Sequence, residues 1–268
     1  MIVSPKNRVL KDIRRLLRSK GDRAVLEGPH LIEEALAAGI ELEQVLATPE
    51  FAALPDGAAL LERLPGWQQV NPAVVDALAD ADTPRGVLAI ARMPRAGVEA
   101  LPVEPAAVIV YVEALQDPGN LGALARVAEA AGASGLALSP GTVHPNHPRA
   151  LRASAGSLLR LPVAVGVTAE ALDARVRGCS PAWVALAPRG GENLYSARLE
   201  GAIVLMIGSE GGGLSPELQA RATRRVTVPL TPPVESLNAT VAAAVVLFEL
   251  SRRSGGANAG SLAAAGST

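Results

Sequence analysis

Residues 202–218 read AIVLMIGSEGGGLSPEL. Ala202 to Ile207 is apolar without alternation, the pattern of a strand buried on both faces. The run opens into Gly208, Gly211, Gly212 and Gly213, and Ser215-Pro216-Glu217 then has the signature of a helix start. Strand, glycine-rich turn and helix in that order make one step of a βα rhythm. Outward from it the rhythm recurs in AAVIVYVE (106–113), GLALS (135–139), LPVAV (161–165), AWVALAP (182–188) and RVTVPL (225–230). Helical stretches are expected at Asn120–Ala131, Pro148–Leu159, Ala169–Arg177 and Ser215–Ala222. Such alternation predicts an α/β fold, a parallel sheet covered by helices. In sheets of this kind ligands bind at the loops leaving the carboxyl ends of the strands.

Residues 1–92 predict a smaller α/β domain. Its first helix is expected from Pro5 to Ser19, with Val9, Ile13, Leu16 and Leu17 as the buried stripe. RAVLEG (23–28), ELEQVLAT (41–48) and RGVLAIAR (85–92) read as strands, and PHLIEEALAAG (29–39) as a helix with Pro29 in its first turn. Further helices are expected from Pro49 to Arg63 and from Pro72 to Ala79. MPRAGVEALPVEP (93–105) is proline-rich and aperiodic and reads as a linker. The second domain then spans 106–253, and the low-complexity tail 254–268 is expected to be disordered.

Hydrophobic residues form 49% of the chain but aromatics only 2%, so there is little from which to build stacking platforms for bases. Cys179 is the single cysteine, which excludes an intramolecular disulfide and a cysteine-based metal cluster. No charge-free apolar run reaches about 18 residues, and no signal-peptide pattern follows Met1. The expectation is a soluble cytoplasmic protein with no membrane partner. Net charge is −1, yet Lys6, Arg8, Lys11, Arg14, Arg15, Arg18, Lys20 and Arg23 crowd the amino terminus. A basic arm on a near-neutral body suits phosphate contact, and it equally suits the solvated face of a helix.

Three post-strand segments carry chemistry. In EALQDPGNLGALARVAEAAG (113–132), Asp117-Pro118-Gly119 make a turn and Asn120 sits at a helix start, where a capping Asn is ordinary. Arg126 follows about a turn and a half later among small residues, able to reach toward a ligand or simply exposed. The glycine loop 208–213 is not a P-loop, since no GK[ST] follows, and Glu210 would repel a pyrophosphate. Its ligand should be neutral or cationic. In PLTPPVESLNATVAAAVVLFEL (229–250), a helix apolar on nearly every side from Ala239, with only Thr240 and Glu249 polar, is preceded by Ser236, Leu237 and Asn238. Ser236 is the expected cap, which makes Asn238 surplus to structural need and a candidate site residue. The HPNH stretch (144–147) is interrupted by Pro145 and followed by Pro148, so no helix aligns the two histidines and no metal site is expected.

Taken together, these segments resemble the three motifs of the SpoU (TrmH-type, SPOUT superfamily) RNA ribose 2′-O-methyltransferases. The first motif matches Asn120, Gly122 and Arg126, the second Gly208 to Ser215, and the third Pro229 with Glu235 to Asn238. HPRALRASAGSLLRLPV (147–163) resembles the family's stretch after the second strand. LEGPHLIEEALAAG and DTPRGVLAIA resemble the substrate-binding domain that precedes the catalytic one in many members. The resemblance implies a deep C-terminal trefoil knot, S-adenosylmethionine as methyl donor and a homodimer. It implies catalytic roles for Arg126, Asn120, Glu210, Ser236 and Asn238, and donor contacts at Gly208, Val228, Leu230 and Leu237. Arg149 and Arg152, with Arg14 and Arg15 of the basic arm, are the expected RNA contacts. Ribosomal RNA is favoured over transfer RNA because of the appended domain. A transfer-RNA ribose methyltransferase and a non-catalytic RNA-binding relative are the competing readings.

Overall fold

The computed structural model describes residues 8–17, 21–80, 83–94 and 97–255. The ends of the expected first helix, the basic residues Lys6, Arg18 and Lys20, and the tail from residue 256 lie outside the described residues. The chain divides into two compact units: Met1–Arg95 with His144–Arg160, and Ala96–Val143 with Leu161–Thr268. The stretch 144–160, expected within the second domain, groups with the first unit.

The first unit contains α1 (Arg8–Leu16), β1 (Arg23–Glu27), α2 (Pro29–Ala37), β2 (Glu41–Ala47), α3 (Pro49–Ala52), α4 (Pro55–Glu62), β3 (Gln68–Gln69), α5 (Pro72–Asp76) and β4 (Val87–Arg92). Its sheet runs β1-β4-β2-β3, with β4 antiparallel to β1 and β2, and β3 parallel to β2. Leu10 and Ile13 of α1 pack with Val25, Leu46, Leu88 and Ile90 in one apolar core. The single helix expected from Pro49 to Arg63 is two. Pro55 has no N–H to continue the ladder and drives Leu54 into the extended region, ψ 141°.

The second unit opens with β5 (Val108–Val112), α6 (Pro118–Ala130) and β6 (Gly135–Leu138). The chain then gives α7 (Pro148–Ser154) and α8 (Ser157–Arg160) to the first unit. The expected helix 148–159 is broken there because Ala155 and Gly156 both take positive φ, 47° and 94°. Back in the second unit follow β7 (Val163–Val165), α9 (Ala169–Val176), β8 (Ala182–Leu186), β9 (Glu192–Asn193), β10 (Ile203–Ile207), α10 (Pro216–Arg221), β11 (Arg224–Thr227) and α11 (Ala239–Arg253). These strands form one sheet in the order β7-β6-β5-β10-β8-β11-β9, parallel at every pairing. Every residue of β10 is buried, as its unbroken apolar run predicts. The α/β expectation of a parallel sheet with helices and a preceding domain holds.

The aperiodic segment 93–105 is not wholly a free linker. Leu101 is fully buried among Ile109, Ala137 and Val176, and the Arg175 guanidinium donates to the carbonyls of Glu99 and Leu101. Burying one leucine side chain contributes about 1.5–3 kcal/mol, enough to pin a short strap.

Helix α11 starts at Ala239, as its apolar pattern predicts, and buries Ala243, Val246, Leu247 and Leu250. Glu249 stays on this apolar helix because Arg252 and Arg253 each reach its carboxylate at 2.8 Å. Hydrogen bonds from Arg252 and then Arg253 outweigh the cost of burial and hold its carboxyl down to about 2. Arg253 also donates to the carbonyls of Leu194 and Ala197, tying the loop after β9 to the helix end.

Candidate active site

In a parallel sheet the carboxyl ends of all strands lie along one edge, and β5, β10, β8 and β11 are consecutive neighbours in this one. The loops after β5 and β10 and the segment after β11 therefore emerge side by side. Two strands late in the chain take slots between earlier ones, β10 between β5 and β8, and β11 between β8 and β9. The crevice where successive connections diverge is the usual ligand position in such sheets.

Asp117, rather than Asn120, caps α6: its Oδ1 accepts from the Asn120 N–H at 2.8 Å. The helix begins at Pro118, so Asn120 lies in the first turn with its carboxamide left for other partners. Its Nδ2 donates to Glu210 Oε1 at 3.1 Å, and its Oδ1 accepts from Asn238 Nδ2 at 3.3 Å. One residue from each of the three segments is thus joined in a chain of two hydrogen bonds.

Glu210 also accepts, at longer range, from the backbone N–H groups of Gln116 (3.5 Å) and Asp117 (3.4 Å). Partial burial pushes its carboxyl up. The Asn120 amide, its own backbone and the N–H groups of Asp117 and Gln116 outweigh that and hold it below the usual carboxylate range. Glu210 is accordingly an ionised acceptor at neutral pH.

The glycine loop closes on itself. Ser209 and Gly213 exchange backbone hydrogen bonds of 3.1 and 3.0 Å, and Ser209 Oγ accepts from the Gly212 N–H at 3.3 Å. A side chain on Gly208 would fall inside the van der Waals envelope of the Gly213 carbonyl and the Leu214 nitrogen, while Gly213 takes φ 64°. The far end of the loop is anchored twice, by Ser215 capping α10 and by its N–H donating to Glu113 Oε2 at 2.7 Å.

The expected cap of α11 is also corrected. Asn238, the residue directly before Ala239, caps it, accepting from the N–H groups of Thr240 (2.9 Å) and Val241 (3.3 Å). Ser236 is two positions too early to cap. It is exposed and makes no hydrogen bond with any described residue. Arg126 is likewise exposed on α6, and its side chain has no hydrogen bond or ion pair among the described residues. It stands six residues beyond Asn120, about 9 Å along the helix axis. The structure therefore joins Asn120, Glu210 and Asn238 directly, and leaves Arg126 and Ser236 near that chain in sequence but outside its hydrogen bonds.

Gly208, Val228, Leu230 and Leu237 are all partly exposed. The last three lie on the segment after β11, and their backbone groups make no hydrogen bond with any described residue. An ion pair of exposed side chains, Arg189 to Glu235 at 2.6 Å, links this segment to the loop after β8. Pairs this exposed are worth about 0–1 kcal/mol.

Of the expected RNA contacts, Arg14, Arg15 and Arg149 are exposed. Arg15 also pairs with Asp12 at 2.6 Å. Arg152 is committed within the first unit, to Glu27 at 3.2 Å and Asp80 at 2.6 Å. His144 and His147 act locally, each Nδ1 accepting a backbone N–H at 3.2 Å, from Asn146 and Arg149 respectively.

Comparison with known proteins gives the family. The SpoU rRNA Methylase family model matches residues 107–248, and the MRM3-like substrate binding domain model matches residues 7–89. The chain belongs to the SpoU rRNA methylase family. Among its relatives are an uncharacterized tRNA/rRNA methyltransferase of Synechocystis, 31% identical over 94% of this chain and 93% of that one, and RlmP of Bacillus subtilis. The latter, a 23S rRNA (guanosine(2553)-2′-O)-methyltransferase, is 29% identical over 93% of this chain and 98% of its own. Among solved structures, the SpoU methyltransferase AviRb of Streptomyces viridochromogenes in complex with AdoMet superposes with TM-score 0.84 at 26% identity, covering 93% of this chain and 98% of that one. The AdoMet-bound rRNA methyltransferase of Sinorhizobium meliloti gives 0.82 at 28% identity, covering 94% and 97%.

Proposed function

We propose that the chain is an S-adenosylmethionine-dependent methyltransferase acting on a ribose 2′-hydroxyl of structured RNA, with ribosomal RNA preferred to transfer RNA. The observation that carries the reading is the Glu210–Asn120–Asn238 hydrogen-bond chain at the carboxyl edge of the sheet, beside backbone groups that bond no described residue. The printed activities of the relatives, on 23S rRNA in the Bacillus case, support the substrate class. A ribosomal substrate puts the reaction in the cytoplasm, and no helix among the described residues is long and apolar enough to cross a membrane.

The residues suit the donor. The backbone groups of Val228, Leu230 and Leu237, which bond no described residue, can read an adenine edge and an amino-acid tail without a phosphate cradle. A nearby ionised Glu210 tolerates a sulfonium. When bound, the donor supplies an electrophilic methyl group. Transfer needs the 2′-oxygen held in line with it, and positioning of this sort contributes about 7–11 kcal/mol. The Arg126 side chain has no ion pair or hydrogen bond among the described residues. A guanidinium, with pKa above about 12, does not act as a base. Its role is to hold the adjacent phosphate and stabilise the developing alkoxide, whose proton passes to solvent water, as preorganised donors do elsewhere. Glu210 orients Asn120, Asn238 holds the other side of that carboxamide, and the free Ser236 hydroxyl is available to the acceptor nucleotide. Arg14, Arg15 and Arg149 contribute phosphate contacts. Arg152, already paired twice, contributes less.

The homodimer belongs to the same proposal. Val241 and Phe248 lie seven residues apart on one face of α11 and remain 50% and 51% exposed, the stripe a second copy would cover. Sedimentation equilibrium at the mass of a single chain would remove that part. The strand order is compatible with the threaded C-terminal topology expected from the family. The reading as a whole is tested by transfer of a labelled methyl group onto RNA followed by alkaline hydrolysis. A 2′-O-methyl group blocks cleavage at its own nucleotide, so the label is expected in alkali-resistant dinucleotides. Label released on mononucleotides would mean base methylation and would reject the ribose assignment.

A further inference from the structure

Of the two buried polar residues on α11, Glu249 is explained by its arginines and Thr240 is not used by the mechanism above. Thr240 is 6% exposed, so its hydroxyl needs a partner. A helical threonine commonly bonds a carbonyl on its own preceding turn. This one instead donates from Oγ1 to the Asn120 carbonyl at 3.2 Å, across 120 residues of sequence.

That bond completes a ring. The Thr240 N–H donates to Asn238 Oδ1 at 2.9 Å, Asn238 Nδ2 donates to Asn120 Oδ1 at 3.3 Å, and Thr240 Oγ1 returns to the Asn120 main chain. Asn120 is held at two points, its side chain by Asn238 and its backbone by Thr240. The remaining amide direction, Nδ2, is left facing Glu210. Without the hydroxyl, the first turn of α6 and the start of α11 would keep only the single, long Asn–Asn bond between these residues.

We propose that Thr240 is a positioning residue: its hydroxyl fixes the start of α6 against the start of α11 and thereby sets Asn120 and, further along α6, Arg126 for the reaction. The proposal rests on the methyltransferase reading. Its buried hydroxyl meets no substrate and acts through Asn120.

Thr240→Val keeps the side chain's volume and removes the donor. The Asn120 carbonyl retains its place in the helix ladder, so the fold should be nearly as stable as before. In labelled methyl transfer, T240V should lower kcat about tenfold to a hundredfold, the scale of a small misplacement. KM for the donor and the Tm should stay near wild type, and T240S should recover most of the loss. Unchanged kcat in T240V, or a loss that T240S does not recover, would overturn the proposal. A readout independent of turnover separates it from the function itself. The Asn120 and Asn238 carboxamide NMR signals should shift and exchange faster in T240V and return in T240S. If they do not move, the ring has no positioning role. If they move in a protein that transfers no methyl group to RNA, the ring stands and the methyltransferase reading has failed.

Discussion

Arg126→Ala is expected to lower kcat about a hundredfold to a thousandfold while leaving affinity for S-adenosylmethionine close to wild type. The range is that for removing one preorganised donor from a developing negative charge. The asymmetry follows from the structure. Arg126 is exposed on α6 and supports no described neighbour, so its loss should disturb neither packing nor the backbone groups of the segment after β11. Arg126→Lys should recover part of the rate, since a single ammonium keeps the charge but not the fork. The pH profile decides between roles. An electrostatic Arg126 lowers the whole profile of kcat without moving its inflections, whereas loss of a base would remove the rise of kcat with increasing pH. Equal loss of turnover and donor affinity would show that Arg126 holds the donor instead.

The second large effect is expected at Gly208→Val, measured by calorimetric titration with S-adenosylhomocysteine, with circular dichroism as the control for folding. The added side chain meets the Gly213 carbonyl and the Leu214 nitrogen, which are backbone atoms and cannot rotate away. The Ser209–Gly213 closure must open, and affinity should fall by at least about a hundredfold, the loss of roughly two charge-assisted or well-formed hydrogen bonds. Gly213→Ala is the internal comparison. Its added Cβ meets nothing within 4 Å and costs only the strain of φ 64°, about 1–2 kcal/mol. If the two variants behaved alike, the loop would not be the steric clasp described.

The long buried strands and the glycine loop were legible because unbroken apolar runs leave no other way to satisfy the backbone. Residues 203–207 form the strand their composition demands. The two-residue strands β3 and β9 were not foreseen, since Gln68–Gln69 and Glu192–Asn193 are exposed and carry no apolar periodicity. The break at Pro55 was readable in principle from the proline alone. The break at Ala155 was not, because alanine is the strongest helix former and takes positive φ here only through tertiary context.

At the site, two expected capping roles fall to neighbouring residues. Capping belongs to Asp117 and Asn238, and which oxygen caps depends on the residue where the helix starts, the least determinate feature of a sequence pattern. Asn238 proved to do both jobs at once, capping with Oδ1 and donating to Asn120 with Nδ2. The link from Thr240 to Asn120 could not be read at all, because nothing in one segment records which carbonyl of another it will meet.

The most direct measurement is a structure of the protein with S-adenosylhomocysteine bound. The product is expected against the backbone of Gly208, Val228, Leu230 and Leu237, with its sulfur directed toward the side of α6 that carries Arg126. Ordered product elsewhere, clear of both the glycine loop and the segment after β11, would contradict the account.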